Sequence, residues 1–117
     1  MNIPKQIQDK VNQFQGLQNQ LQAIVLQKQQ LILQSTDIDN AITALEKIDK
    51  ERIYEATGPL LIETDKPTSE KKLQENKDVI NARIQMLEKQ EKKLTEKLKE
   101  LSTEIQTDLQ GGGITGG

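Results

Sequence analysis

The sequence predicts a mainly α-helical chain with a small β element: a long antiparallel two-helix coiled coil joined by one β-hairpin, which pairs with other subunits in a β-barrel platform. Three observations carry this prediction. Two long stretches repeat apolar residues at alternating intervals of three and four, a short β-prone segment interrupts them, and the composition is too polar for a layered core. Of 117 residues, 33% are hydrophobic, 2% aromatic and 29% charged, with Tyr54 and Phe14 as the aromatic residues. Such a composition resembles solvent-exposed helices more than an ordinary globular domain.

The first helix is predicted over residues 3–50. Its d positions are Ile3, Lys10, Leu17, Ile24, Leu31, Ile38 and Leu45, and its a positions Ile7, Phe14, Leu21, Lys28, Ser35, Ile42 and Asp49. Ten of these fourteen are apolar, the 3.5-residue repeat by which one helix buries a narrow stripe against another. Eleven glutamines between Gln6 and Gln34 supply a helix-compatible, uncharged surface. Pro4 suits a first turn, where its missing N–H has no intrahelical partner to lose. Ser35-Thr36-Asp37 has the look of a fresh N-cap, but the d positions keep phase through it, which favours one continuous helix. Val25, Leu26, Ile32 and Leu33 lie off the seam; they face a neighbouring stem or a client, or are scattered surface residues, the reading favoured over the other two.

The second helix is predicted over residues 69–109, with d at Leu73, Ile80, Leu87, Leu94 and Leu101 and a at Lys77, Ile84, Glu91, Leu98 and Ile105. Nine basic residues balance nine acidic ones along it, so Lys92-Lys93 reads as a solvated face rather than a polyanion site. Residues 53–65 break the period and read as a hairpin with its bend at Thr57-Gly58-Pro59. A sixteen-residue linker from Ile53 to Thr68 spans at most about 55 Å. A parallel return along a helix of roughly 60–70 Å is beyond that reach, so the helices must run antiparallel. Residues 110–117, with Gly111-Gly112-Gly113 and Gly116-Gly117, are expected to be disordered, and the whole is expected to form a single domain.

An isolated two-stranded hairpin is marginal in water, and this one carries Leu60, Leu61 and Ile62 in a row. Ile53, Tyr54, Ala56, Gly58, Leu60, Leu61 and Ile62 are therefore the expected oligomerisation hairpin, paired edge to edge with other subunits. At the far tip, only two helices cover the seam, and helix ends fray. Ile3, Ile7, Val11, Phe14, Leu98, Leu101, Ile105 and Leu109 are the candidate binding residues there, fitted to hold non-native chains without reading a sequence.

Enzyme chemistry is not expected. The chain has no His and no Cys, which removes the commonest general base, thiol nucleophiles, disulfides and zinc–thiolate sites. Asp37-Ile38-Asp39 opens like a calcium loop, but Ala41 and Ile42 stand where a ligand and the turn glycine belong. Gly111 to Gly113 has no following Lys-Ser/Thr, so it is no phosphate loop. No cofactor or metal is expected. A net charge of −2 and two aromatic residues give nucleic acid nothing to bind. No stretch approaches the ~18–20 apolar residues that span a bilayer, and the opening decapeptide has no apolar core, so a soluble cytoplasmic protein without membrane contact is expected.

Gln13-Phe14-Gln15-Gly16-Leu17-Gln18-Asn19-Gln20, Gln27-Lys28-Gln29-Gln30-Leu31, the hairpin from Ile53 to Ile62, and Leu87-Glu88-Lys89-Gln90-Glu91-Lys92-Lys93-Leu94 resemble the prefoldins, specifically the beta-type subunit of the archaeal kind. With the layout, the resemblance covers residues 3–110. Alpha-type subunits of that family carry two hairpins, and this linker has room for one. The resemblance implies a hetero-hexamer of two alpha-type and four beta-type subunits, with a double-barrel platform and hanging coiled coils. It also implies an ATP-independent chaperone that captures unfolded client proteins at the tips and delivers them to a group II chaperonin. The rival expectation is a structural coiled-coil tether or adaptor binding one folded partner.

Overall fold

A computed structural model describes residues 3–113. The order is α1 (Lys5–Glu46), β1 (Ile53–Thr57), β2 (Leu60–Thr64), α2 (Lys66–Asp108) and a π-helical turn (Leu109–Gly113). The chain divides into two compact units, one built from the chain up to Lys28 and from Met86 onward, the other from Gln29–Gln85. Each long helix contributes to both.

Both helices follow the seam pattern. Every a and d position within α1 and α2 is buried or half-buried, while most other positions are exposed. The periodicity therefore identifies the contact stripe residue by residue. The fully buried apolar side chains among the described residues are Ile7, Leu45, Leu98 and Leu101, few enough to fit a narrow seam in place of a layered core.

In the first unit, Lys10 Nζ donates to Asp108 Oδ2 at 2.6 Å and Lys28 Nζ to Glu91 Oε2 at 2.7 Å, so one helix ascends as the other descends. In the second unit, Ser35 Oγ donates to Asn81 Oδ1 at 3.3 Å, and Lys77 pairs with Asp39, again antiparallel. α1 runs unbroken through Ser35-Thr36-Asp37, where Thr36 Oγ1 donates back to the Ile32 carbonyl at 3.0 Å. Of the off-seam apolar residues, Val25 is half-buried and Leu26, Ile32 and Leu33 are exposed.

Several boundaries differ from expectation for identifiable reasons. α1 begins at Lys5 rather than at residue 3, with the Pro4 carbonyl accepting from the Ile7 and Gln8 amides, and Ile3 lies outside the helix. It ends at Glu46, closed by short bonds from the Lys47 amide to Ala44 and the Ile48 amide to Leu45. α2 starts at Lys66 rather than residue 69. Asp65 is its N-cap, accepting the Thr68 amide on its carboxylate at 2.8 Å, and Pro67 sits in the first turn. Residues 110–113, expected to lack structure, continue the helix as a π-helical turn; the wider turn gives terminal carbonyls of α2 a partner, and glycine raises no steric objection. Residues 114–117 of the expected tail lie outside the described residues.

The hairpin pairs Ile53 with Thr64, Glu55 with Ile62 and Thr57 with Leu60, in antiparallel register. Its loop is Gly58-Pro59 alone. Gly58 has φ +58°, and proline holds φ near −65°, the order of signs that a type II′ turn requires. Only glycine enters that first position without strain.

Candidate functional site

Two surfaces stand out, one in each unit. In the second unit, β1 and β2 form a sheet of two strands with both long edges unpaired. Alternation along the strands places Ile53, Glu55, Leu60 and Ile62 on one face and Tyr54, Ala56, Leu61 and Glu63 on the other. Leu60 is 62% and Leu61 73% exposed, with Tyr54 and Ile62 also exposed, so apolar side chains face water on both sides of the sheet. Ile53 is half-buried, and Ala56 and Gly58 are exposed.

Several contacts fix the hairpin's orientation. Lys72 Nζ bonds both Glu55 carboxylate oxygens, at 2.8 and 2.9 Å, joining β1 to α2. Lys66 Nζ donates to the Ile48 carbonyl at 3.1 Å, tying the exit of α1 to the start of α2. A groove lined by Ala41, Leu45 and Leu73 of the helices and by Ile53 and Ala56 of β1 runs alongside the strand. Backbone donors and acceptors lie along its open edge, with apolar side chains on either hand, which is the chemistry that adds another strand.

In the first unit, the eight candidate tip residues divide. Ile3 and Leu109 are exposed; Val11, Phe14 and Ile105 are half-buried; Ile7, Leu98 and Leu101 are buried, Ile7 at 5% and Leu101 at 6% exposure. The pairing of Lys10 with Asp108 and of Lys28 with Glu91 sets Leu98 and Leu101 level with Leu17 to Leu21, well inside the seam. These two are stem packing in this structure, a distinction that needs the register and that spacing alone does not make. An open groove lined by Pro4, Gln6, Ile7, Thr107, Asp108 and Gly111 lies at the end of the pair.

Sequence reasoning placed Lys10 on the seam but did not identify its partners. Asp108 accepts from it at 2.6 Å, and Glu104 lies 4.0 Å away. The hydrogen bond to Asp108 raises the Lys10 pKa above its usual value, burial opposing it. The bond to Glu91 does the same for Lys28. The signal for both was a lysine standing where an apolar residue belongs. Among the described residues no cluster of metal-ligating side chains forms, and no helix is long and apolar enough to cross a membrane.

Comparison with known proteins agrees with this architecture. The family described as "Prefoldin subunit" matches residues 8–112. Prefoldin subunit beta of Thermococcus onnurineus is 42% identical over 109 residues, covering 92% of this chain and 94% of that protein. The crystal structure of the prefoldin beta subunit from Thermococcus strain KS-1 superposes with a TM-score of 0.86 at 39% identity, covering 92% of this chain and 96% of that one. The beta2 subunit of the same strain gives 0.71 at 28% identity, over 77% of this chain and 97% of that one. With its pair of seamed helices, its single hairpin and this likeness along most of its length, the chain belongs to the prefoldin family.

Proposed function

We propose that this chain is a beta-type subunit of an ATP-independent holdase, which binds unfolded polypeptides at the ends of its helix pair and passes them to a group II chaperonin in the cytoplasm. The observation that carries the reading is the hairpin. Leu60 and Ile62 stand exposed on one face and Leu61 on the other of a two-stranded sheet with both edges open, a state that water disfavours unless other subunits cover it. Pairing with other prefoldin subunits supplies that cover. The proposed assembly is a hetero-hexamer of two alpha-type and four beta-type subunits joined through a β-barrel platform.

Client binding falls on the outer part of the tip. Ile3 and Leu109 present apolar surface directly, and Val11, Phe14 and Ile105 present their flanks. Ile7 adds to them when the last turn parts. Contacts of this kind recognise exposed apolar side chains without reading their order, which suits a range of unfolded clients.

The test is suppression of aggregation. The assembled chain is mixed, without nucleotide, with several unrelated denatured proteins, and light scattering is followed. Suppression of all of them is expected, together with its loss when residues 1–10 and 104–117 are removed while assembly persists. Binding of one folded partner with no effect on denatured proteins would identify a tether or adaptor instead. Full holding after truncation would move the client site away from the tip.

A further inference from the structure

The outermost rung between α1 and α2 is a seam ion pair like Lys28–Glu91 further along the same unit, but it stands where both helices end. Lys10 occupies a d position, where Leu17 and Ile24 stand in the following heptads, and bonds Asp108 at 2.6 Å with Glu104 at 4.0 Å. Both side chains of the close pair are about one quarter exposed, so the ion pair is partly withdrawn from water and occupies space that an apolar pair would fill. Such an arrangement contributes less to holding two helices together than apolar packing of the same volume, and it weakens with salt where solvent reaches it.

The local helix chemistry points the same way. α1 has no acidic residue in its first turn and α2 no basic residue in its last, so neither terminal dipole meets a favourable charge. The charges present have the opposite sign: Lys5 opens α1 and Asp108 closes α2. Beyond Asp108 the chain turns π-helical through Leu109-Gln110-Gly111, a geometry that stacks poorly and a composition that favours unwinding. Outside the ion pair lies Ile7, buried and only 5% exposed, with a groove lined by Pro4, Thr107 and Gly111 beside it.

We propose that the Lys10–Asp108 pair is a latch: the helix ends open outward from it as one segment, and opening presents the otherwise buried Ile7, with Leu109, to a client. The idea deepens the chaperone reading and rests on it for the identity of what binds. While the latch is closed, Ile7 is covered and the tip offers the apolar surface of Ile3 and Leu109 and the flanks of Val11, Phe14 and Ile105 alone. When it opens, Lys10 and the carboxylates regain water, which offsets part of the cost of parting the helices.

Two variants move the latch in opposite directions without adding apolar surface. Asp108→Asn removes the charged acceptor. The joint exchange Lys10→Asp with Asp108→Lys, made together with Glu104→Gln so that no second carboxylate faces the new one, keeps a pair and places a lysine at the C-terminal end of α2, where the dipole favours it. Hydrogen exchange of the Ile7 to Val11 amides reads the opening in the assembled full chain, and holding of reduced, unfolded lysozyme reads the consequence. Asp108→Asn is expected to speed exchange there by roughly tenfold and to lower the amount of chain needed for holding. The reversed pair is expected to slow exchange by roughly threefold and to raise that amount. Raising NaCl from about 50 mM to about 500 mM should speed tip exchange in the unaltered chain and leave Asp108→Asn nearly unmoved. Equal exchange in all three chains would overturn the latch, and so would altered exchange with identical holding. Exchange needs no client, so the expected exchange pattern in a chain that holds no lysozyme at any ratio would support the opening and defeat the chaperone reading.

Discussion

Lys28 and Glu91 meet across the helix pair with Nζ and Oε2 2.7 Å apart, and each stands where its own helix would otherwise place an apolar residue. The other polar seam positions are partnered in the same manner: Lys10 with Asp108, Ser35 with Asn81, and Lys77 with Asp39. Apolar side chains tolerate sliding by a heptad, because another apolar residue takes the vacated place. A half-buried ammonium does not, since a slip strands it away from its carboxylate. The polar rungs thus specify which residues of the two helices stand level.

Reversal of one charge tests this directly. Glu91→Lys sets two ammonium groups together and should lower the melting temperature followed by helical circular dichroism. Adding Lys28→Glu should restore most of the loss, because the pair is re-formed with its signs exchanged. Replacing both by Leu should give a melting temperature at or above that of the unaltered chain. A double reversal as unstable as the single one would show that the pairing does not matter.

Gly16 lies in the interior of α1 at an exposed position, and a Cβ built there meets nothing within 4 Å. Gly16→Ala should therefore stabilise the chain by about 0.5–1 kcal/mol, the cost of glycine in a helix interior. Urea unfolding should show a higher midpoint with the slope unchanged.

Gly58 behaves oppositely. At φ +58° a β-branched side chain is strained, and Gly58→Val should cost about 1–2 kcal/mol at the turn. The loss should appear as weakened assembly in sedimentation, with the helical signal at low temperature nearly intact.

Asp65 predicts an acid-side effect. The Thr68 amide and hydroxyl hold its carboxyl below the usual value. A depressed folded-state pKa means the N-cap contribution is complete above the unfolded value of about 3.9 and is lost as pH falls through the lower folded value. Asp65→Asn keeps a capping oxygen but cannot titrate, so the difference in stability between the two chains should change below about pH 4. A difference that stays constant from about pH 3 to 7 would contradict the assignment.

Much of this architecture was legible in the residue pattern. The spacing of Leu17, Ile24, Leu31 and Ile38 named the face of α1, and the run Leu60-Leu61-Ile62 beside Gly58-Pro59 named the hairpin. Periodicity reports which residues face a partner but not their level along it. For that reason Leu98 and Leu101 looked equivalent to Ile105 and Leu109 until the Lys10–Asp108 and Lys28–Glu91 pairs fixed the register. The expected start of α2 at residue 69 falls three residues late, because apolar spacing gives no signal before Leu73. The sequence Asp65-Lys66-Pro67-Thr68 carries a capping signal that apolar spacing ignores. Pro59 reads along the chain as an obstacle to a strand, yet it occupies the second turn position, where its fixed φ is an advantage and β2 begins only after it.

Exposed on both faces and open at both edges, the hairpin is expected to commit this chain to assembly. Native mass measurement of the chain mixed with an alpha-type prefoldin subunit tests it most directly, alongside a variant carrying Leu60→Lys and Leu61→Lys. A complex of two alpha-type and four beta-type chains is expected, with a variant that stays helical but no longer joins it. A chain that remains a monomer beside its companion, or a lysine variant that assembles as well as the original, would contradict it.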